Sequence, residues 1–145
     1  MLSLVRLSAV KCELITREAF SKRKHADVVE FTRIEGGMRA RDFKIGPGPE
    51  VVEGYHVTVH YESRNLHGRL LEDSLSTFPN GVSFIAGKPG LVPPVLHRGV
   101  LNMRVGGRRE IIAPPSAHFP EQFPGEVLIY DINVVAGKPI QTAHL

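Results

Sequence analysis

Between Tyr55 and Glu62 the chain alternates without interruption. Tyr55, Val57, Val59 and Tyr61 fall on one side; His56, Thr58, His60 and Glu62 fall on the other. A period of two is the mark of a strand with one buried and one wet face. "LIYDINVV" (128–135) repeats it, setting Leu128, Tyr130, Ile132 and Val134 against Ile129, Asp131 and Asn133. "MRARDFKIG" (38–46) alternates charged and apolar positions, and "GRLLEDS", "VSFIAG" and "RREIIAPP" read as shorter strands. Between them lie turn signals: Gly36-Gly37, "GPGPE" (46–50), His67-Gly68 and "TFPNG" (77–81). One stretch breaks the pattern. Pro93 and Pro94 suit the first turn of a helix, and "VLHRGVLNM" (95–103) supports two or three turns, closed by Gly106 and Gly107. Together these predict an α+β fold, an antiparallel sheet of five or six strands with one short helix on its apolar face.

Composition narrows the picture. The 145 residues suit one domain with tails, and 42% apolar with 23% charged residues is ordinary for a globular chain. Fourteen glycines and eleven prolines speak against a helical bundle. No apolar run approaches the roughly 20 residues of a membrane-spanning helix. Cys12 is the single cysteine, so no intrachain disulfide forms, which leaves the compartment open. The net charge of +3 divides unevenly: residues 1–25 carry +4 and the rest −1. A basic arm on a near-neutral domain argues against nucleic acid as a partner, which demands a concentrated positive face. The arm reads either as a transit segment or as a retained extension lying across a partner. Within it "KCELITREAF" places Cys12, Ile15 and Ala19 at helical spacing.

Several constellations lead nowhere. His56 and His60 share a strand face but lie about 13 Å apart at ~3.3 Å per residue, too far to share an ion. No HxH, HExxH or CxxC spacing occurs among the seven histidines and one cysteine, so no metal is expected. "RVGGRRE" (104–110) lacks the lysine and Ser/Thr of a phosphate loop and reads as a hairpin turn with solvated charges.

The order of pieces is specific where no single piece is. "GMRARDFKIGPGPEVVEGYHVTVHY" (37–61) is followed by "GRLLEDS", "FIAG", a short helix, "GVLNMRVGGRREIIAPP" (99–115) and "LIYDINVV". Over residues 36–136 this resembles the FKBP-type peptidyl-prolyl cis-trans isomerases, above all the divergent members of the plant and algal thylakoid lumen. The resemblance implies a five-stranded half-barrel wrapped round one helix, with a proline pocket between helix and sheet. It also implies a basic extension over 1–35, the domain over 36–136 and a tail over 137–145. Rotation about an X-Pro bond meets a barrier of ~18–20 kcal/mol and needs neither nucleophile nor cofactor. It needs a dry apolar pocket that favours the twisted amide, with a few oriented polar groups.

Carried over position by position, the family's wall tyrosine is Tyr61. Its Phe-Asp pair falls on Leu71-Glu72, its second pocket phenylalanine on Val82, and its apolar pair ahead of the helix on Leu91-Val92. The aromatic floor, usually tryptophan, is Leu96; the carbonyl-holding tyrosine is His118; the last-strand aromatic is Tyr130. His118 reads either as a solvent-exposed histidine or as a replacement hydrogen-bond donor. The loop after it is short, and Phe119 and Phe123 are the rings available to replace part of the lost wall. A buried ring contributes ~150–250 Å² of contact that leucine does not reproduce. The sequence therefore raises two expectations. One is an isomerase of reduced activity and weak macrolide binding, acting on proline-containing polypeptides, with no residue assigned a catalytic role. The other is a non-catalytic accessory subunit or assembly factor of a larger complex, such as a photosynthetic membrane complex reached through residues 1–25. The resemblance implies the plastid, in the thylakoid lumen, with the cytoplasm as the alternative.

Overall fold

The computed structural model describes residues 30–119 and 121–140. The basic segment 1–25, with its expected short helix, and residues 141–145 lie outside the described residues. The elements in chain order are β1 (Thr32–Arg33), β2 (Arg39–Lys44), β3 (Tyr55–Asn65), β4 (Leu70–Asp73), α1 (Ser74–Thr77), β5 (Val82–Ile85), α2 (Pro94–His97), β6 (Arg108–Ala113) and β7 (Leu128–Pro139). Two 3₁₀ turns, Glu35–Gly37 and Pro115–Ala117, complete them.

All strand pairings are antiparallel, in the order β1-β2-β6-β7-β3-β4, with β5 also on β3. β3 and β7 are the long central pair, running in register from Tyr55–Pro139 to Asn65–Leu128 with one bulge near Thr58 and Val59. Along its other edge β3 changes partner. β5 takes His56 to Val59 and β4 takes Glu62 to Arg64. The alternation read from the sequence is the alternation of burial. Val57, Val59, Leu128, Tyr130, Ile132 and Val134 are all buried, with Ile111, Ala113 and Ala40 beside them. Val95, Leu96, Val100 and Met103 cover that face from the α2 side. Each such side chain contributes roughly 1.5–3 kcal/mol on leaving water.

The α+β sheet-and-helix architecture agrees with the sequence reading, with differences of detail. The sheet has seven strands because the two-residue β1 adds an edge. Paired strand extends past both ends of 36–136, from Thr32 to Pro139. The helix expected over two or three turns is a single turn. The His97 carbonyl, which would accept from Leu101 in a continuing helix, accepts from the Gly87 N–H at 2.6 Å. The Leu101 N–H turns to the Arg98 carbonyl instead, and Asn102 adopts a positive φ of 71°. The segment from Ser74, read as strand end and loop, is the short α1. Asp73 caps it by accepting from Leu75 N–H (3.1 Å). Buried Ser74 Oγ then accepts from Tyr61 N–H (2.8 Å), closing the gap between β5 and β4 on the β3 edge.

Arg109 also departs from its reading as a solvated charge. It is 8% exposed. Its guanidinium donates to Asp42 (2.7 Å) and to the carbonyls of Gly99 (2.9 Å) and Leu101 (3.0 Å). It thus clasps the chain leaving α2 to β2 and β6.

Candidate functional site

Between α2 and the concave face of the sheet lies a cleft of about 360 Å³. Its floor is Leu96, which α2 holds at 1% exposure. β3 and β7 supply Tyr61 and Tyr130, whose rings stack with centroids 5.6 Å apart and 27° between planes. Val82 and Ser83 come from β5, Glu72 from β4, and Leu91, Val92 and Pro93 from the approach to α2. Phe78, just past α1, and Phe119 and Gln122 from the β6–β7 connection stand at the rim. Phe78 and Leu91 are among the exposed apolar residues of the molecule.

Polar groups are few. Among the described residues Glu72 is the one carboxylate lining the cleft, and no lysine or arginine lines it. Ser63, fully buried, donates its hydroxyl to Glu72 (3.1 Å) and holds it against β3. Burial first, and the Glu72 charge second, push the Tyr61 phenol up from 10.0 to about 12. Burial, Glu72 and then Tyr61 push Tyr130 up in the same direction. Both phenols therefore keep their protons at neutral pH; the Tyr130 hydroxyl is turned to the Glu72 carboxylate, which leaves Tyr61 as the donor over the apolar floor. No nucleophile–base pair is present among the lining residues. What the arrangement suits is an apolar ring on Leu96 with a carbonyl held by a hydroxyl. That is the requirement for holding and twisting an X-Pro amide.

Of the residues singled out from the sequence, Tyr61, Glu72, Val82, Leu91, Val92, Leu96 and Tyr130 line this cleft. Leu71 does not. Successive strand residues project oppositely, and the turn that aims Glu72 inward leaves Leu71 half-buried at the core margin, lining an adjoining groove. His118 does not line it either. It is 2% exposed, hence no surface histidine, and it is not a donor into the cleft. Its Nε2 donates to the Glu126 carbonyl (2.7 Å), and Nδ1 lies 3.3 Å from the Phe119 carbonyl. Phe123 packs edge-on against it at 6.4 Å. His118 and Phe123 together brace the short loop, and Phe119 alone of the loop's two rings reaches the cleft. Sequence reasoning missed Phe78, Pro93, Ser83 and Gln122. The signal for Phe78 was Asp73, a helix-capping residue whose turn swings "TF" to the rim.

Comparisons with known proteins agree with this geometry. The model of the family described as FKBP-type peptidyl-prolyl cis-trans isomerase matches residues 48–135. The chain is 26% identical over 141 residues to the chloroplastic peptidyl-prolyl cis-trans isomerase FKBP16-3 of Arabidopsis thaliana, covering 89% of this chain and 57% of that protein. It is 34% identical over 125 residues to the chloroplastic "photosynthetic NDH subunit of lumenal location 4" of the same plant, covering 76% and 58%. The chain spans less than two thirds of the length of such curated relatives. Among solved structures, AtFKBP13 superposes with a TM-score of 0.65 at 24% identity, over 76% of this chain and 100% of that one, and so shares the fold.

Proposed function

The chain belongs to the FKBP-type peptidyl-prolyl cis-trans isomerase family, and from that premise we propose that its cleft holds proline-containing polypeptide in a plastid and isomerises it slowly. The floor supports this reading most. Leu96 stands where a flat ring would grip a proline, and the position expected to hold the carbonyl, His118, is spent on the Glu126 carbonyl. Tyr61 and Tyr130 leave a cleft, with Tyr61 as its donor, that still accepts a proline ring. Each lost aromatic contact is worth ~0.5–1.5 kcal/mol, so two together, at ~1–3 kcal/mol, lower turnover by roughly 5- to 150-fold. Exchange NMR on an X-Pro tetrapeptide, beside an ordinary family member, tests this. Turnover equal to the ordinary enzyme refutes the slow-isomerase reading.

A second reading has its own support. The resemblance to a relative named as a complex subunit, with the +4 charge of residues 1–25, favours an accessory subunit or assembly factor in the thylakoid lumen. On this reading residues 1–35 are the docking extension and 36–136 the scaffold. Native gel migration with mass-spectrometric identification of co-migrating proteins separates the two. A protein that migrates alone removes the subunit reading.

A further inference from the structure

The strands treat their carboxylates unequally. On β2, β3, β6 and β7 each one is ion-paired to an arginine: Asp42 with Arg109, Glu62 with Arg64, Glu110 with Arg41 and Asp131 with Arg108. β4 carries two, Glu72 and Asp73, and among the described residues neither has a basic partner. Their partners are neutral: Glu72 accepts from the Ser63 hydroxyl and faces the Tyr130 phenol, and Asp73 accepts from the Leu75 N–H and the Ser76 hydroxyl.

Glu72 stands at the mouth of the cleft, and Asp73 lies just beyond it. A groove of about 410 Å³ runs along β4 and α1 and shares Tyr61, Glu72 and Phe78 with the cleft. Glu72 and Asp73 both line it, Phe78 is 50% exposed beside it, and no lysine or arginine lines either space among the described residues. Because the groove opens from the cleft at Tyr61, Glu72 and Phe78, it is within reach of the residues flanking a proline seated on Leu96.

Resting on the reading of the cleft as a proline site, we infer that the peptide it selects carries a lysine or arginine flanking the proline. The aliphatic stem of such a residue packs along Phe78, and its head meets Glu72, with the Asp73 charge further along the same groove. The charges left unpaired on β4 are the specificity element, since an acidic neighbour at the same place is repelled and a neutral one gains nothing.

The test uses the full chain and the tetrapeptides Ala-Xaa-Pro-Phe and Ala-Phe-Pro-Xaa, with Xaa lysine, leucine or glutamate, titrated by NMR at low and high salt. For at least one series the lysine peptide binds about 3- to 10-fold tighter than the glutamate peptide at low salt. That ratio shrinks at high salt. It falls towards one in Glu72→Gln/Asp73→Asn, whose amides keep the acceptors for Ser63 and Leu75 and so preserve the fold. The salt arm, on the unaltered protein, keeps the test valid if the variant unfolds. Equal binding of lysine and glutamate peptides in both series overturns the inference while leaving the cleft reading intact. An unchanged ratio in the variant overturns it too. No shift of cleft resonances with any peptide overturns both.

Discussion

Tyr61 shows that the cleft acts on its polar groups more through burial than through charge. Burial, and then Glu72, hold its phenol at about 12 against 10.0 in the unfolded chain. A group whose folded pKa is raised binds its proton more tightly when folded, so its contribution to stability is complete below pH 10 and is lost as pH rises towards 12. The unfolding midpoint should therefore fall through that window, and fall less in Tyr61→Phe. Glu72→Gln should move the Tyr61 transition part of the way back towards 10, leaving the larger share due to burial. Tyrosinate absorbance in a pH titration reads both. Leu96 gives a second prediction at this scale. Leu96→Trp adds a ring to the floor where the 360 Å³ cleft leaves space beside it. X-Pro exchange should then rise about 3- to 10-fold, and an unchanged rate would mean the floor is not what limits turnover. Tyr61 and Tyr130 were legible in the sequence because each sits on an alternating strand, whereas Leu96, on a single helical turn, was placed by the family resemblance. His118 was not legible, because its partner is a main-chain carbonyl, and an acceptor common to every residue leaves no mark on composition.

At the scale of elements the cleft depends on how closely α2 and the chain leaving it approach the sheet. Gly99 sits where a Cβ would overlap the Val95 carbonyl oxygen and Ile111 Cδ1. Gly99→Ala must push the turn off β6, costing about 1–3 kcal/mol by overpacking and disturbing the floor beneath Leu96. A urea titration measures the loss, and chemical-shift changes centred on Leu96 locate it. Arg109 holds the same junction from the other side. Arg109→Ala strands Asp42 and the carbonyls of Gly99 and Leu101, for a loss of about 3–5 kcal/mol. Arg109→Lys, with one point charge for four hydrogen bonds, two of them to Asp42, should recover only part of it. A loss below 1 kcal/mol in the alanine variant would show that the clasp is solvated in solution. The strands were readable because alternation is local. The length of α2 was not: what stops it is the Gly87 N–H, which belongs to the loop after β5 and reaches the His97 carbonyl only in the folded chain.

Over the whole molecule, the order of strands explains why the family could be read from the sequence while the details of its pocket could not. β7 pairs with both β3 and β6, so the last strand joins the two halves of the sheet and brings Tyr130 beside Tyr61 across 69 positions of sequence. The apolar faces that make this assembly possible are written in every strand. The rim is written in loops, whose course depends on single bonds such as Leu75 to Asp73 and His118 to Glu126. Every described cleft residue lies between Tyr61 and Tyr130, whereas the basic charge lies in residues 1–25. Removing residues 1–25 takes the net charge from +3 to −1 and leaves every cleft position in place. If the arm is the docking element, the shortened protein should leave its assembly on a native gel. Peptide-induced shifts at Tyr61 and Tyr130 should persist with unchanged affinity. Co-migration that survives the deletion would move the docking surface onto the domain itself. Loss of the peptide shifts together with the assembly would tie the arm to the cleft and end the division of labour between them.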